Sequence, residues 1–152
     1  MAECVNLYLP QEIMALDSTS PRCKPPSPPN GTETILLVED ENAVRNIVRI
    51  VLTRFGYNVL EAANGKEALE VVRIYEQPIQ VLLTDVVMPG MHGPEVARAI
   101  ASKMPAIRVI FMSGYVDDAR TREGLADSTS CFIQKPFSSD DLAHKVRAVL
   151  DA

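Results

Sequence analysis

From Thr34 onward the chain alternates between short, unbroken apolar runs and longer stretches whose apolar residues recur every three or four positions. The unbroken runs have the length and β-branched bias of strands buried on both faces. They lie at Ile35 to Val38, Tyr57 to Ala62, Val81 to Thr84, Ile107 to Met112 and Cys131 to Gln134. The stretches between them carry the stripe of an amphipathic helix. The first places Val44, Ile47, Val48, Val51, Leu52 and Phe55 on one inward face, with Gly56 as its stop. The next follows the turn Asn64-Gly65 and directs Ala68, Leu69, Val72 and Tyr75 inward until Pro78 breaks it. The third runs from about Pro94 to Met104, with Pro94 in its first turn and Val96, Ala97, Ile100 and Met104 inward. Val116 to Ala126 is polar and contains Gly124, which predicts only a short, marginal helix. The last helix starts at Ser138 or Ser139, is followed by Asp140 and Asp141, and buries Leu142, Val146, Val149 and Leu150.

Five β/α units with short connections imply an α/β fold, a parallel sheet with helices on both faces. Residues 1–33 stand apart. Six of the eleven prolines fall there, and Asp17 to Asn30 is dominated by Ser, Thr and Pro, the composition of an extended linker. Ahead of it, Val5-Asn6-Leu7-Tyr8-Leu9-Pro10 alternates like a strand with nothing nearby to pair with. The reading is a remnant plus linker over 1–33 and one folded domain over 34–152.

Composition narrows the classes. In 152 residues, a hydrophobic share of 47% supports one domain with a full core. A net charge of −5, with no basic stripe, argues against a nucleic-acid partner. Cys4, Cys23 and Cys131 are odd in number and far apart, which points to reduced thiols in a cytoplasmic setting. No apolar run reaches membrane-spanning length and no signal peptide is visible, so no membrane contact is expected of this segment. Asn30-Gly31-Thr32 matches a glycosylation sequon and is read as a chance match.

The chemistry collects where strands end. The first strand runs into Glu39-Asp40, the third into Asp85, the fourth into Ser113 and the fifth into Lys135-Pro136. With strands 1, 3, 4 and 5 side by side these groups share one rim, the ligand side of open α/β sheets. After Asp85, the turn through Pro89, Gly90 and Gly93 re-aims the chain. Carboxylates this close repel unless a cation sits among them. Hard oxygen donors with no His or Cys nearby suit Mg²⁺ or Mn²⁺ better than zinc.

Four segments resemble the receiver domains of two-component response regulators. They are Leu37-Val38-Glu39-Asp40-Glu41, Leu83 to Gly93, Phe111-Met112-Ser113-Gly114 and Phe132-Ile133-Gln134-Lys135-Pro136-Phe137, in the family's order and spacing. The resemblance covers Thr34 to Ala152 and implies the flavodoxin-like strand order 2-1-3-4-5. It implies that Asp85 is the phosphoacceptor, taking a phosphoryl group from a phosphohistidine to form an acyl phosphate. It further implies Mg²⁺ held by Asp40, Asp85 and the backbone carbonyl of Val87, with Glu39 behind. Many members have Asp where this chain has Glu39, so the reach of that side chain to the metal differs. Lys135 would pair with Asp85 before reaction and with the phosphoryl group after it. Ser113 would donate its hydroxyl there, and Gly114 would keep the approach open. Phe132 occupies the place of a switch aromatic, and Pro136 that of a cis proline. The output surface would involve the marginal helix, the fifth strand and the last helix.

Each residue also has a plain structural reading. Asp40 and Asp85 could cap a helix and a turn, Ser113-Gly114 could be a simple turn pair, and Lys135 could be solvated. Phe132 could be strand core. Met88 and Met91 are read as packing residues, and His92 and His144 as surface residues. Convergence of the acids, hydroxyl and lysine at strand ends favours the functional reading. A metal-dependent phosphatase is the rival enzyme class, but Val87 stands where its general acid would be. A nucleotide or flavin binder lacks a Gly-rich loop after the first strand, and a non-phosphorylated binding module leaves the acid–Ser–Lys set unexplained. Val5 to Pro10 resembles the closing strand of a histidine-kinase ATP-binding domain, and Tyr115 followed by two acids resembles hybrid-kinase receivers. The chain is therefore read as the C-terminal receiver of a hybrid kinase, with a stand-alone regulator as the alternative and a downstream relay protein as a further partner.

Overall fold

Five strands form one central sheet and four helices cover it in the structure, a computed structural model that describes residues 30–114 and 130–152. In chain order they are β1 (Thr34–Val38), α1 (Asn42–Arg54), β2 (Asn58–Ala62), α2 (Gly65–Ile74), β3 (Val81–Asp85), α3 (Gly93–Lys103), β4 (Arg108–Ser113), β5 (Ser130–Gln134) and α4 (Ser139–Asp151). All four strand pairings are parallel, and the order is β2-β1-β3-β4-β5. This is the 2-1-3-4-5 order that the resemblance implied, and the strands match the apolar runs to within about one residue. The expected helix over 116–126, the strand-like Val5 to Pro10 and the Pro-rich stretch up to Pro29 lie outside the described residues.

The sheet is covered on both faces because successive strand residues point to opposite sides. Ile35, Leu37, Leu83, Ile110 and Met112 face one layer, with Val48 and Leu52 of α1 and Leu142 and Val146 of α4. Leu36, Val38, Leu82, Val109 and Phe111 face the other, with Ala68 of α2 and Val96 and Ile100 of α3. The inward residues expected of α2, α3 and α4 all pack in these layers.

One expectation for α1 fails. Ile47 is 62% exposed, and the inward face consists of Val48, Leu52 and Phe55 with Val44 and Val51 at its edge. Neighbouring helix positions are rotated by about 100°, so Val48 and Ile47 cannot both face the sheet squarely. The apolar stripe of α1 is wider than the face the sheet covers.

Helix ends follow local chemistry. Ser138 and Asp141 form a reciprocal capping box that starts α4, and Asn64 accepts from the Glu67 N–H to start α2. At the far end of α4, the Arg108 guanidinium donates to the carbonyls of Val149 and Ala152.

Candidate functional site

The strand order brings the ends of β1, β3, β4 and β5 together on one rim. Glu39 and Asp40 leave β1, Asp85 ends β3, Ser113 ends β4, and Lys135 follows β5. Carboxylate oxygens of Glu39, Asp40 and Asp85 lie within 4.8 Å of one another. The Lys135 Nζ donates to Glu39 Oε2 at 2.9 Å and to Asp85 Oδ2 at 3.3 Å. The nearer partner is therefore Glu39, although Asp85 was the expected one. The Lys135 amide also donates to the Ser113 carbonyl at 2.8 Å, which ties β4 and β5 together at the rim.

The turn after Asp85 is shaped by glycine. Gly90 has a φ of 82°, in the left-handed region, and a Cβ at Gly93 would lie 2.2 Å from the Asp85 carbonyl oxygen. Only a residue without a side chain lets the loop return this close, where the Gly93 N–H donates to the Val86 carbonyl. Met88 is buried inside the turn and Met91 packs against the α2–α3 layer, as expected. The Val87 side chain is exposed.

Burial sets the charge balance. The Glu39 side chain is 1% exposed, that of Asp85 15% and that of Lys135 25%. Burial pushes the Glu39 carboxyl above its ordinary range, opposed by the hydrogen bonds from Lys135 and the Glu41 N–H. Burial also works against the Lys135 ammonium, but its bond to Glu39 and the charges of Asp85 and Glu39 outweigh this and raise its pKa. Lys135 thus stays charged and supplies one counter-charge to three carboxylates. That imbalance, in an all-oxygen donor set, fits a hard divalent cation such as Mg²⁺. Receiver domains bind Mg²⁺ at an acidic pocket of this kind.

Several plain readings lose ground. Asp40 does not cap α1: the N-cap is Glu41, with no side-chain capping bond. Phe132 is 38% exposed and not strand core, with its ring 5.5 Å from that of Phe111. A Cβ on Gly114 would meet nothing within 4 Å, so the approach beside Ser113 is open. The Lys135–Pro136 bond is cis, as expected. His92 and His144 are exposed, the latter bonded to the Asp140 carbonyl.

Arg45 is a site neighbour that the sequence pattern does not mark. From α1, its guanidinium reaches back to the carbonyl of Glu39 at 2.7 Å. An arginine on the polar side of an amphipathic helix carries no mark of such a contact, because the contact depends on how the helix returns over the strand end.

Comparison with known proteins places this site in context. The response regulator receiver domain model matches residues 35–147. The sensor kinase CckA of Brucella abortus (strain 2308) is 45% identical over 123 residues, which are 80% of this chain and 13% of that protein. The response regulator receiver protein CpdR of the same organism is 36% identical over 118 residues, 78% of this chain and 97% of CpdR. Among solved structures, the receiver domain of the hybrid histidine kinase CckA superposes with a TM-score of 0.66 at 35% identity, covering 77% of this chain and 98% of that one.

Proposed function

The chain belongs to the response regulator receiver family of two-component signalling, and on that premise we propose that Asp85 is its phosphoacceptor. The observation that carries this reading is the Asp85 carboxylate at the end of β3, part of a three-carboxylate cluster and 3.3 Å from the Lys135 ammonium. An Asp85 oxygen attacks the phosphorus of a phosphohistidine on a donor kinase or phosphotransfer domain. The new O–P bond forms as the P–N bond breaks, and the imidazole nitrogen keeps the electron pair. Mg²⁺, or Mn²⁺ in its place, would be held by Asp40, Asp85 and the Val87 carbonyl with Glu39 alongside, and would supply positive charge to the phosphoryl oxygens.

The remaining roles belong to this chain's own groups. Lys135 exchanges its bond to the free Asp85 carboxylate for one to a phosphoryl oxygen. Ser113, at the end of the neighbouring strand, donates its hydroxyl to the same group. Phe132, half exposed on β5 and beside Phe111, turns inward when Ser113 moves, which passes the change to β5 and α4. Residues 34–152 form the receiver, and the residues just ahead of it are tied to the domain by the Gly31 N–H, which donates to the Phe55 carbonyl. The greater identity to CckA supports descent from a hybrid kinase, with phosphotransfer to a downstream relay protein. The near-complete coverage of CpdR supports the alternative of a stand-alone regulator. No described helix is long and apolar enough to cross a membrane, and the reading is a cytoplasmic domain.

Intact-mass spectrometry after incubation with acetyl phosphate tests the reading. The expected result is a Mg²⁺-dependent gain of one phosphoryl group in the wild type and none in Asp85→Asn. A folded wild type that gains nothing from acetyl phosphate or from a phosphohistidine donor overturns it.

A further inference from the structure

Glu39 is held on three sides. Its N–H donates to the Ala62 carbonyl of β2 at 3.1 Å, and its carboxylate accepts from Lys135 and from the Glu41 N–H. Its own carbonyl, where the chain leaves β1 and turns into Asp40, accepts from Arg45 Nη1 at 2.7 Å. The Arg45 guanidinium is largely enclosed, with the side chain 15% exposed. Each of its nitrogens has a separate acceptor on a separate part of the fold: Nη1 on Glu39, Nη2 on Asn42 Oδ1 at 2.6 Å, and Nε near Glu61 Oε1 of β2 at 3.5 Å. Glu61 is braced in turn by Arg49 at 3.1 Å.

The Glu39 carbonyl belongs to the peptide plane that joins Glu39 to Asp40. Holding it fixes the direction in which the Asp40 side chain leaves the backbone. Asp40 is exposed and is not a helix cap, so local capping does not orient it. We propose that Arg45, braced by Glu61, is a positioning residue that sets the Glu39–Asp40 peptide and thereby aims the Asp40 carboxylate at the cation site beside Asp85. Its guanidinium acts on backbone and touches neither the cation nor the phosphoryl group. The inference rests on the metal and phosphoacceptor roles proposed above.

The sign of one substitution separates positioning from mere charge. A positive group near a cation site repels the cation, so its loss through electrostatics alone would tighten binding. Loss of a group that orients a ligand weakens binding, and such outer contacts commonly carry about tenfold or more in metal affinity. Mn²⁺ titration followed by electron paramagnetic resonance of the free ion reads this directly, without phosphorylation. Arg45→Met is expected to raise the Mn²⁺ Kd about tenfold. The same variant should shift the half-saturating Mg²⁺ in acetyl phosphate labelling by a similar factor, with the maximal rate at saturating Mg²⁺ retained. Arg45→Lys, which keeps the charge but not the fork, should fall between wild type and Arg45→Met, and Glu61→Gln should shift the Kd in the same direction by less.

An unchanged or tightened Kd in folded Arg45→Met overturns the proposal. If that variant does not fold, an unchanged Kd in Glu61→Gln does so. A wild type that binds Mn²⁺ yet takes up no phosphoryl group overturns the phosphoacceptor reading, while the Mn²⁺ series still decides the role of Arg45. A folded wild type that binds no Mn²⁺ overturns the metal role and the Arg45 proposal together.

Discussion

Lys135 and Glu39 depend on each other more than either depends on Asp85. A carboxylate 1% exposed is costly unless paired, and Lys135 is its cationic partner at 2.9 Å. Removing the ammonium leaves Glu39 and Asp85 facing each other with no counter-charge. Without divalent ions, Lys135→Met is expected to lower stability in urea by about 1–3 kcal/mol, the cost of orphaning a largely buried charged group. Adding Glu39→Gln should recover most of that loss, because the orphaned charge is gone. Equal stability of Lys135→Met and the wild type would mean that the pair is spent on function alone. The site residues were legible as types at strand ends. That Lys135 sits nearer Glu39 than Asp85 was not, since the two distances are set only where the ends of β1, β3 and β5 meet.

At the scale of one element, α1 shows how a pattern overstates burial. Its apolar residues at three and four spacing mark a helix correctly, but the sheet covers only the arc around Val48 and Leu52. Leu52→Ala is expected to cost about 2–5 kcal/mol, as deletions from closed cores do. Ile47→Ser should change stability by about 0.5 kcal/mol or less, since Ile47 is already 62% exposed. Urea denaturation of the two variants checks this, and a comparable loss in both would place Ile47 in the core after all. Ile47, Val51, Phe137 and Leu142 instead line a shallow groove between α1 and the start of α4. Periodicity fixes the helix and its rough face. The width of the covered arc depends on where α4 packs, which lies about 90 residues further along the chain.

The molecule as a whole is closed by a contact between its first described residues and its last helix. The Arg147 guanidinium forks onto the Glu33 carboxylate at 3.1 and 3.3 Å, reaches the Asn30 carbonyl, and also pairs with Asp151. The hydrogen bond from Arg147 holds the Glu33 carboxyl below its ordinary range, against a smaller opposing effect of burial. A carboxyl depressed in the folded state contributes stability above its unfolded value, and that contribution is lost as pH falls through the folded value. Glu33→Gln should therefore be less stable than wild type near neutrality, and the two should converge as the pH falls through the lowered folded value of Glu33. Thermal or urea midpoints across that range read the difference, and a gap that stayed constant with pH would remove Glu33 ionisation as its source.

Five parallel strands, their separating helices and the acids, hydroxyl and lysine at the rim were all present in the one-dimensional pattern. Apolar runs and three-and-four spacing are local consequences of burying a strand on two faces or a helix on one. Sequence order also places Glu39, Asp40, Asp85, Ser113 and Lys135 at strand ends, because each follows its own apolar run. Only the tertiary structure decided which of them touch. The parallel pairing of β1 with β3 sets the carboxylates within a few ångströms of one another, and that of β4 with β5 sets Ser113 beside Lys135. The return of α1 over the end of β1 lets Arg45 meet a backbone carbonyl, and α4 brings Arg147 to Glu33 across 114 residues of sequence separation. Contacts of this kind join segments whose local patterns are independent, so the physics that creates them acts only once the layers have packed.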